Sequence, residues 1–370
     1  MSGVQILSAI RSPAAPRGGA LARFALHDLG APVLQAAIAS AGLTPDAIDE
    51  VIAGNALGGG GNPARMVALA AGLPERVAGL SIDRQCCGGL DALLLASALI
   101  ASGQANVVAA GGVESYSRRP LRLRTDPDGG PPQPYDRPPF APWPARDPDM
   151  DAAADALATD LGISRAEQDA WAIESHRKAL AAPPTGEILP LRGLSKDAFA
   201  RTLNTRLCAR APQLVGTISA ANAAVAADAA AFCILVSDRV AARLGATGVS
   251  LLGGVTLGDR PESPGVAPVA AINTILARHS LKATDLSVAE VMEAYAVQAM
   301  ACVRLTGIAP AVVNPGGGAL ARGHPIGASG AINAVRLFHE LRRTGGSGLT
   351  AIAAAGGLGT ALLMASGQSR

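Results

Sequence analysis

The sequence predicts an α/β fold with covered sheets, and three observations lead there. Short apolar runs alternate along the chain with longer runs of helical character. Of the 370 residues, 49% are hydrophobic but only 3% aromatic and 16% charged, so the core must be built from Ala, Val, Leu and Ile, with 43 glycines letting elements approach closely. A long internal duplication gives the chain two related halves. At roughly 100–200 residues per domain, the length suggests two or three domain-sized units. This is the composition of a folded enzyme and not of a disordered chain.

Val51–Ala53, Val107–Ala110, Cys233–Val236 and Ile352–Ala354 read as buried strands. Leu29–Ala41, Leu90–Ser102, Ala270–Arg278 and Ala331–Arg343 read as helices. Early in the chain Pro32-Val33 opens a helix that leads to Ile48-Asp49-Glu50-Val51-Ile52-Ala53. Late in the chain Pro268-Val269 opens a helix that leads to Val288-Ala289-Glu290-Val291-Met292-Glu293. Each half closes on the same four letters, Ala109-Ala110-Gly111-Gly112 and Ala354-Ala355-Gly356-Gly357. Matches in one order at an offset of about 240 residues mark a duplicated domain, since solenoid units are far shorter.

Ser117–Pro148 interrupts this pattern with Pro, Arg and Asp, a run that can be neither helix nor central strand. Its length leaves two readings, a disordered stretch or a functional covering segment. Helical character resumes from Met150 to Ala181, where Ser164 and Glu167 form a capping-box pattern. The expected division is a first half over 1–118, completed by about 216–250, an inserted region over 119–215, and a second half over 251–370. The strand around Cys233–Val236 is expected to return to the first half.

Thirty-one basic against 29 acidic residues leave a formal charge of +2, which argues against a nucleic-acid binder or a polybasic membrane protein. Five cysteines, Cys86, Cys87, Cys208, Cys233 and Cys302, form no regular framework and suit a reducing cytosol. The histidines are scattered and no C-x₂-C spacing occurs, so no metal site is indicated. Met1–Pro13 carries no long apolar run, and the apolar stretch Ala92–Ala101 is about half the ~20 residues of a membrane span. The expectation is a soluble, cytoplasmic protein.

Two loops carry candidate chemistry. Arg84-Gln85-Cys86-Cys87-Gly88-Gly89-Leu90 precedes an apolar helix, where the macrodipole favours thiolate over thiol. Cys86 is therefore a candidate acyl carrier, against the plainer reading of a small buried side chain. Cys87 reads as structural. The second loop, Asn314–Gly330, is Gly-rich around His324, whose imidazole titrates near working pH and suits a general base. Its plainer reading is a turn with an incidental histidine. Pseudo-symmetry favours the active readings, because the two loops occupy similar places in the two halves.

These motifs resemble those of the thiolases, the acetyl-CoA acyltransferase branch of the thiolase/ketosynthase superfamily. The resemblance runs nearly end to end. It is carried by Ser8-Ala9-Ile10-Arg11-Ser12-Pro13, Arg84-Gln85-Cys86 with Gly89-Leu90, Gly111–Ser115, Gly216–Asn222, Gly317-Gly318-Ala319 and Gly323-His324-Pro325-x-Gly-Ala-Ser-Gly. It implies duplicated βαβαβαββ halves forming a five-layered αβαβα core with an inserted loop domain. It also implies that Cys86 takes an acyl group from a CoA thioester while His324 activates the thiol. The backbone N–H groups of Cys86 and Ala355 would hold the thioester oxyanion. No tightly bound cofactor is implied, coenzyme A being part of the substrate. Homodimers or homotetramers follow from the resemblance alone.

The sequence departs from the family at two catalytic positions. Asn-Glu-Ala-Phe appears as Met292-Glu293-Ala294-Tyr295, and Met292 cannot supply the asparagine's hydrogen bond. The second family cysteine aligns with Ala353, which has no proton to exchange, and Cys302 is the one other cysteine considered as a replacement. Substrate contacts are expected at Met150, Ala224 (a family serine) and Gly323, with Asp151 adding a negative charge nearby. Arg118, Arg119, Arg122, Arg124, Arg201, Arg206 and Arg210 are candidates for the CoA phosphates. The function expected is acyl transfer from an acyl-CoA or related pantetheine thioester through acyl-Cys86 with a modified second half-reaction. The alternative is a catalytically weak homologue that binds acyl-CoA or serves as a partner subunit.

Overall fold

The computed structural model describes residues 3–58 and 60–366. Its first half places strands β1 (Val4–Arg11), β2 (Glu50–Gly54), β3 (Ala78–Ile82) and β4 (Val107–Ser115) around helices α1 (Leu26–Ser40), α2 (Pro63–Ala70) and α3 (Gly88–Ala101). Helices α4 (Met150–Leu161) and α5 (Arg165–Ala181) follow before the long strand β5 (Ala227–Ser237). The rest comprises β6 (Val249–Gly258), α6 (Ala267–Arg278), β7 (Leu286–Val291), α7 (Ala296–Thr306), α8 (Ile326–Thr344), β8 (Gly346–Ala354) and β9 (Leu358–Ser366).

These strands form one ten-stranded sheet in the order β7-β8-β9-β6-β1-β5-β4-β2-β3, with the two-residue strand Ala15–Pro16 on β5. Every residue of β4 and β5 is buried, so both run as continuous apolar strands without alternation, as strands covered on both faces must. The return of Cys233–Val236 is seen directly: β5 pairs antiparallel with both β1 and β4. The halves repeat one pattern. β2 lies parallel to β4, and β7 lies parallel to β8, while β5 and β9 run antiparallel to β4 and β8.

Helices α1 and α2 cover one face of the first half, and α6 and α7 cover the outer face of the second. Between the two sets of strands α3 packs against α8, which gives the expected αβαβα layers. The central core, with Leu90, Leu93, Ile332, Val335 and Phe338, fills that middle layer. Within the sheet the halves pair directly at Gln5↔Ser250 and Ile6↔Val249 on β1 and β6.

Three local expectations need correction. Pro32 does not open α1 but stands seventh in it, where the helix forgoes one backbone bond. Helix α8 begins at Ile326, five residues before Ala331, because Gly327 and Gly330, poor helix formers, are tolerated where packing demands them. The two Ala-Ala-Gly-Gly segments are not equivalent. Val51 pairs with Ala109 and Val291 with Ala351, so Ala109 corresponds to Ala351, and the second segment lies in the turn after β8.

Of the two readings for the Pro-rich run, the structure gives an ordered cover. Arg122–Arg124 pairs with Gln133–Tyr135 in a small hairpin, and Arg137 binds Asp147 at 2.6 Å. Ser164 and Glu167 form the expected capping box at the start of α5. Both α4 and α5 pack on α7.

Where β4 and the start of α3 meet the start of α8, three glycines leave no room for added side chains. A Cβ on Gly112 of β4 would lie 2.1 Å from the Gly327 carbonyl oxygen, and one on Gly89 of α3 would lie 2.7 Å from the same atom. Gly112→Ala should therefore lower stability by at least about 1–3 kcal/mol, the usual cost of overpacking. An unchanged urea-unfolding midpoint would show that the helix ends have slack.

Candidate active site

Cys86 sits in the turn between β3 and α3, after Gln85, whose φ of +49° lies in the left-handed region. Such a backbone is sparsely populated for non-glycine residues and is held here by Gln85 N–H donating to Asp83 Oδ1 at 2.9 Å. His324 follows Gly323, whose φ of +100° suits glycine, and its N–H donates to the Val225 carbonyl at 2.7 Å. The two loops, 238 residues apart, bring Cys86 Sγ within 3.2 Å of His324 Nε2. Cys87 is fully buried, with its Sγ 3.5 Å from the Ile352 carbonyl, in keeping with a structural side chain.

Ser329 Oγ lies 2.7 Å from His324 Nδ1 and 3.1 Å from the Pro325 carbonyl. With the hydroxyl proton on that carbonyl, Oγ accepts from Nδ1–H, the tautomer that leaves the Nε2 lone pair toward the thiol. Burial pushes the Cys86 thiol up to about 12, and the charges of Glu114 and Asp83 add to the rise. Burial also pushes His324 down to about 4. Desolvation thus outweighs the helix-end field that was expected to favour thiolate. Both shifts favour the neutral thiol–imidazole pair over the charged one.

Glu114 locks the pair in place. Its carboxylate accepts from Asn55 Nδ2 at 2.8 Å and Ala56 N–H at 2.9 Å in the first half, and from Gly327 N–H at 3.0 Å in the second. Burial raises this carboxyl to about 7 despite those donors.

Cys86 and His324 open on a cavity of 330 Å³ whose wall also includes Met150, Ala224, Ala353 and Ala355. Six of the expected positions thus meet. Gly323 shapes the turn instead, and a Cβ there would lie 2.8 Å from that of Ala227. Met292 is buried in the core, its N–H donating to the Ala351 carbonyl, and stands outside the cavity lining. Cys302 is also fully buried and outside the lining, so it does not replace the missing cysteine. Nor do the candidate arginines reach the cavity. Arg119 pairs with Asp136 at 2.6 Å, Arg122 binds the Ala56 carbonyl, Arg124 and Arg201 lie over the rings of Tyr135 and Phe199, and Arg118, Arg206 and Arg210 are exposed.

Among the lining residues that sequence reasoning missed are Tyr116, Phe140 and Gln298, and it missed the role of Tyr295 as a wall. Tyr295 had a signal, being the aromatic position of the Met-Glu-Ala-Tyr motif. Phe140 had none, since the Pro-rich cover brings it in by long-range packing. Tyr295 Oη donates to Asp151 Oδ1 at 2.6 Å, which turns Asp151 from a free charge into a hydrogen-bonded one.

Comparison with known proteins follows this geometry. The family profiles for the thiolase N-terminal and C-terminal domains match residues 4–239 and 248–366. The chain belongs to the thiolase family. An acetyl-CoA acetyltransferase of Cupriavidus necator is 37% identical, covering 98% of this chain and 99% of its own. The crystal structure of the Bacillus anthracis acetyl-CoA acetyltransferase superposes with a TM-score of 0.92 at 32% identity, covering 99% of both chains. Acat5 thiolase from Ascaris suum, solved in complex with coenzyme A, gives 0.89 at 31%, covering 98% of this chain and 100% of its own. Among the described residues of the thiolase no helix is long and apolar enough to cross a membrane.

A neutral pair has a distinct alkylation profile. Iodoacetamide modification of Cys86, followed by peptide mass mapping, should rise about tenfold per pH unit from neutrality toward 9, because thiolate is the nucleophile and its pKa is far above. A plateau between pH 5 and 8 would instead reveal a thiolate–imidazolium pair.

Proposed function

We propose that this thiolase transfers an acyl group from a CoA or pantetheine thioester through an acyl-Cys86 intermediate. The observation that carries this reading is His324 Nε2 facing Cys86 Sγ at 3.2 Å. In the first step the sulfur attacks the thioester carbonyl while its proton passes to Nε2. The new S–C bond forms, the C–S bond to CoA breaks, and the leaving thiolate takes the proton back from the imidazolium. The backbone N–H groups of Cys86 and Ala355, on the same cavity wall, receive the developing oxyanion. Below about pH 4 His324 is protonated and can no longer accept, so acylation is lost as pH falls through that value.

The second half-reaction is modified. Ala353 occupies the cavity wall without a proton to exchange, and Met292 is buried among apolar side chains. Losing one positioned acid–base group typically costs about 10²–10⁴ in rate. The acyl group therefore passes to an acceptor that needs no deprotonation at carbon: another nucleophile, water, or an already activated carbanion. The same two replacements favour the second reading, an acyl-CoA-binding or partner subunit with weak activity.

Five free cysteines suit the reducing cytoplasm. Strand β3 ends the sheet with Leu80 43% exposed, an edge that a second copy would cover in a homodimer.

Incubation with acetyl-CoA and a panel of acyl-CoAs, read by intact mass, should give an adduct that disappears in Cys86→Ser. Its formation should slow about 10²–10⁴-fold in His324→Ala. Absence of any adduct would favour the binding role. Met292→Asn combined with Ala353→Cys should create thiolysis of acetoacetyl-CoA, and ordinary thiolysis by the unaltered protein would refute the modified second step.

A further inference from the structure

We propose that Tyr295, held by Asp151, is a specificity-determining residue that selects thioesters whose acyl group carries a hydroxyl; the proposal rests on the acyl-Cys86 reading above. Tyr295 lines the same cavity as Cys86 and stands at the start of α7, while Asp151 lies in the first turn of α4. Met150 and Ala153, which flank Asp151, line that cavity too, so the Tyr295–Asp151 bond spans from the α7 wall to the α4 wall.

A phenol has one proton and two lone pairs. At 2.6 Å that proton is committed to the Asp151 carboxylate, so Oη offers only acceptor capacity to a bound molecule. Negative charge behind the donor strengthens that acceptor, as in other charge-assisted bonds. Burial and the Asp151 bond both push the phenol upward, so it stays protonated and oriented. The wall nearby is apolar, with Ala153, Ala154 and Leu157. Gln298 spends its Oε1 on Ala294 N–H at 3.3 Å and one Nε2–H on Cys302 Sγ at 3.4 Å. A hydroxyl on the acyl chain satisfies Oη; a plain acyl chain sets apolar atoms against that acceptor in a half-buried, mostly apolar wall.

A site built to bind a substrate hydroxyl discriminates strongly against the analogue lacking it. Because this wall is only half-buried, we expect a preference of at least about tenfold, well below the values of fully enclosed sites. The test compares acylation of Cys86 by butyryl-, 3-hydroxybutyryl- and 4-hydroxybutyryl-CoA in the full-length protein, followed by intact mass. One hydroxylated thioester should outrun butyryl-CoA, and the ratio should fall to near one in Tyr295→Phe, which removes only the oxygen. Asp151→Asn, which keeps an acceptor for the phenol but removes the charge, should lower the ratio partway. Equal rates for all three thioesters in the unaltered protein, or a ratio that survives in Tyr295→Phe, overturns the proposal while leaving acyl-Cys86 intact. No adduct with any thioester removes the acyl-Cys86 reading and this one with it.

Discussion

The N-termini of α3 and α8 meet beside β4 at a contact with no space for added Cβ atoms on Gly89, Gly112 or Gly327, and the site depends on that contact. A Cβ on Gly89 or Gly112 of the first half would fall within 2.7 Å of the Gly327 carbonyl oxygen of the second. The loops that precede the two helices are thereby forced together, which sets Cys86 Sγ 3.2 Å from His324 Nε2. Glu114 adds a polar lock, taking N–H groups from both halves on one buried carboxylate. The outer strands and helices can be read as support for this contact, since the halves share only two residue pairs across β1 and β6.

Enclosure has an electrostatic consequence. The same packing that aligns the thiol and imidazole surrounds both with protein while leaving them open to the cavity, and it shifts the thiol up to about 12 and the imidazole down to about 4. A helix end contributes on the order of half a unit charge, a modest term beside removal from water. Proton transfer is then coupled to attack on a thioester and does not precede it, which limits reaction of the thiol with other electrophiles.

How much of this was legible in the chain follows from how local each feature is. Cys86 and His324 lie in contiguous Gly-rich motifs, so their residue types and the following helices could be read directly. Ala353 and Met292 were legible for the same reason, as gaps in otherwise matching motifs. Asp151 was read as a free negative charge, because its partner Tyr295 lies 144 positions away. Phe140 could not be read at all, since the Pro-rich cover has no periodicity to say which side chain faces inward. The repeated Ala-Ala-Gly-Gly misled for a related reason: in an Ala-rich chain four letters recur by composition, whereas strand register compares positions physically.

The sequence by itself determined the α/β class, the duplication, the two chemistry-bearing loops and the two residues that depart from the family, because these depend on residue type and short spacing. Tertiary structure decided the rest. Only packing could show that α8 starts at Ile326, that Cys86 and His324 share one cavity, that Cys302 is buried outside it and that Tyr295 is tied to Asp151. Each of those depends on burial or on a partner distant in the chain, and neither is encoded in any short window of sequence.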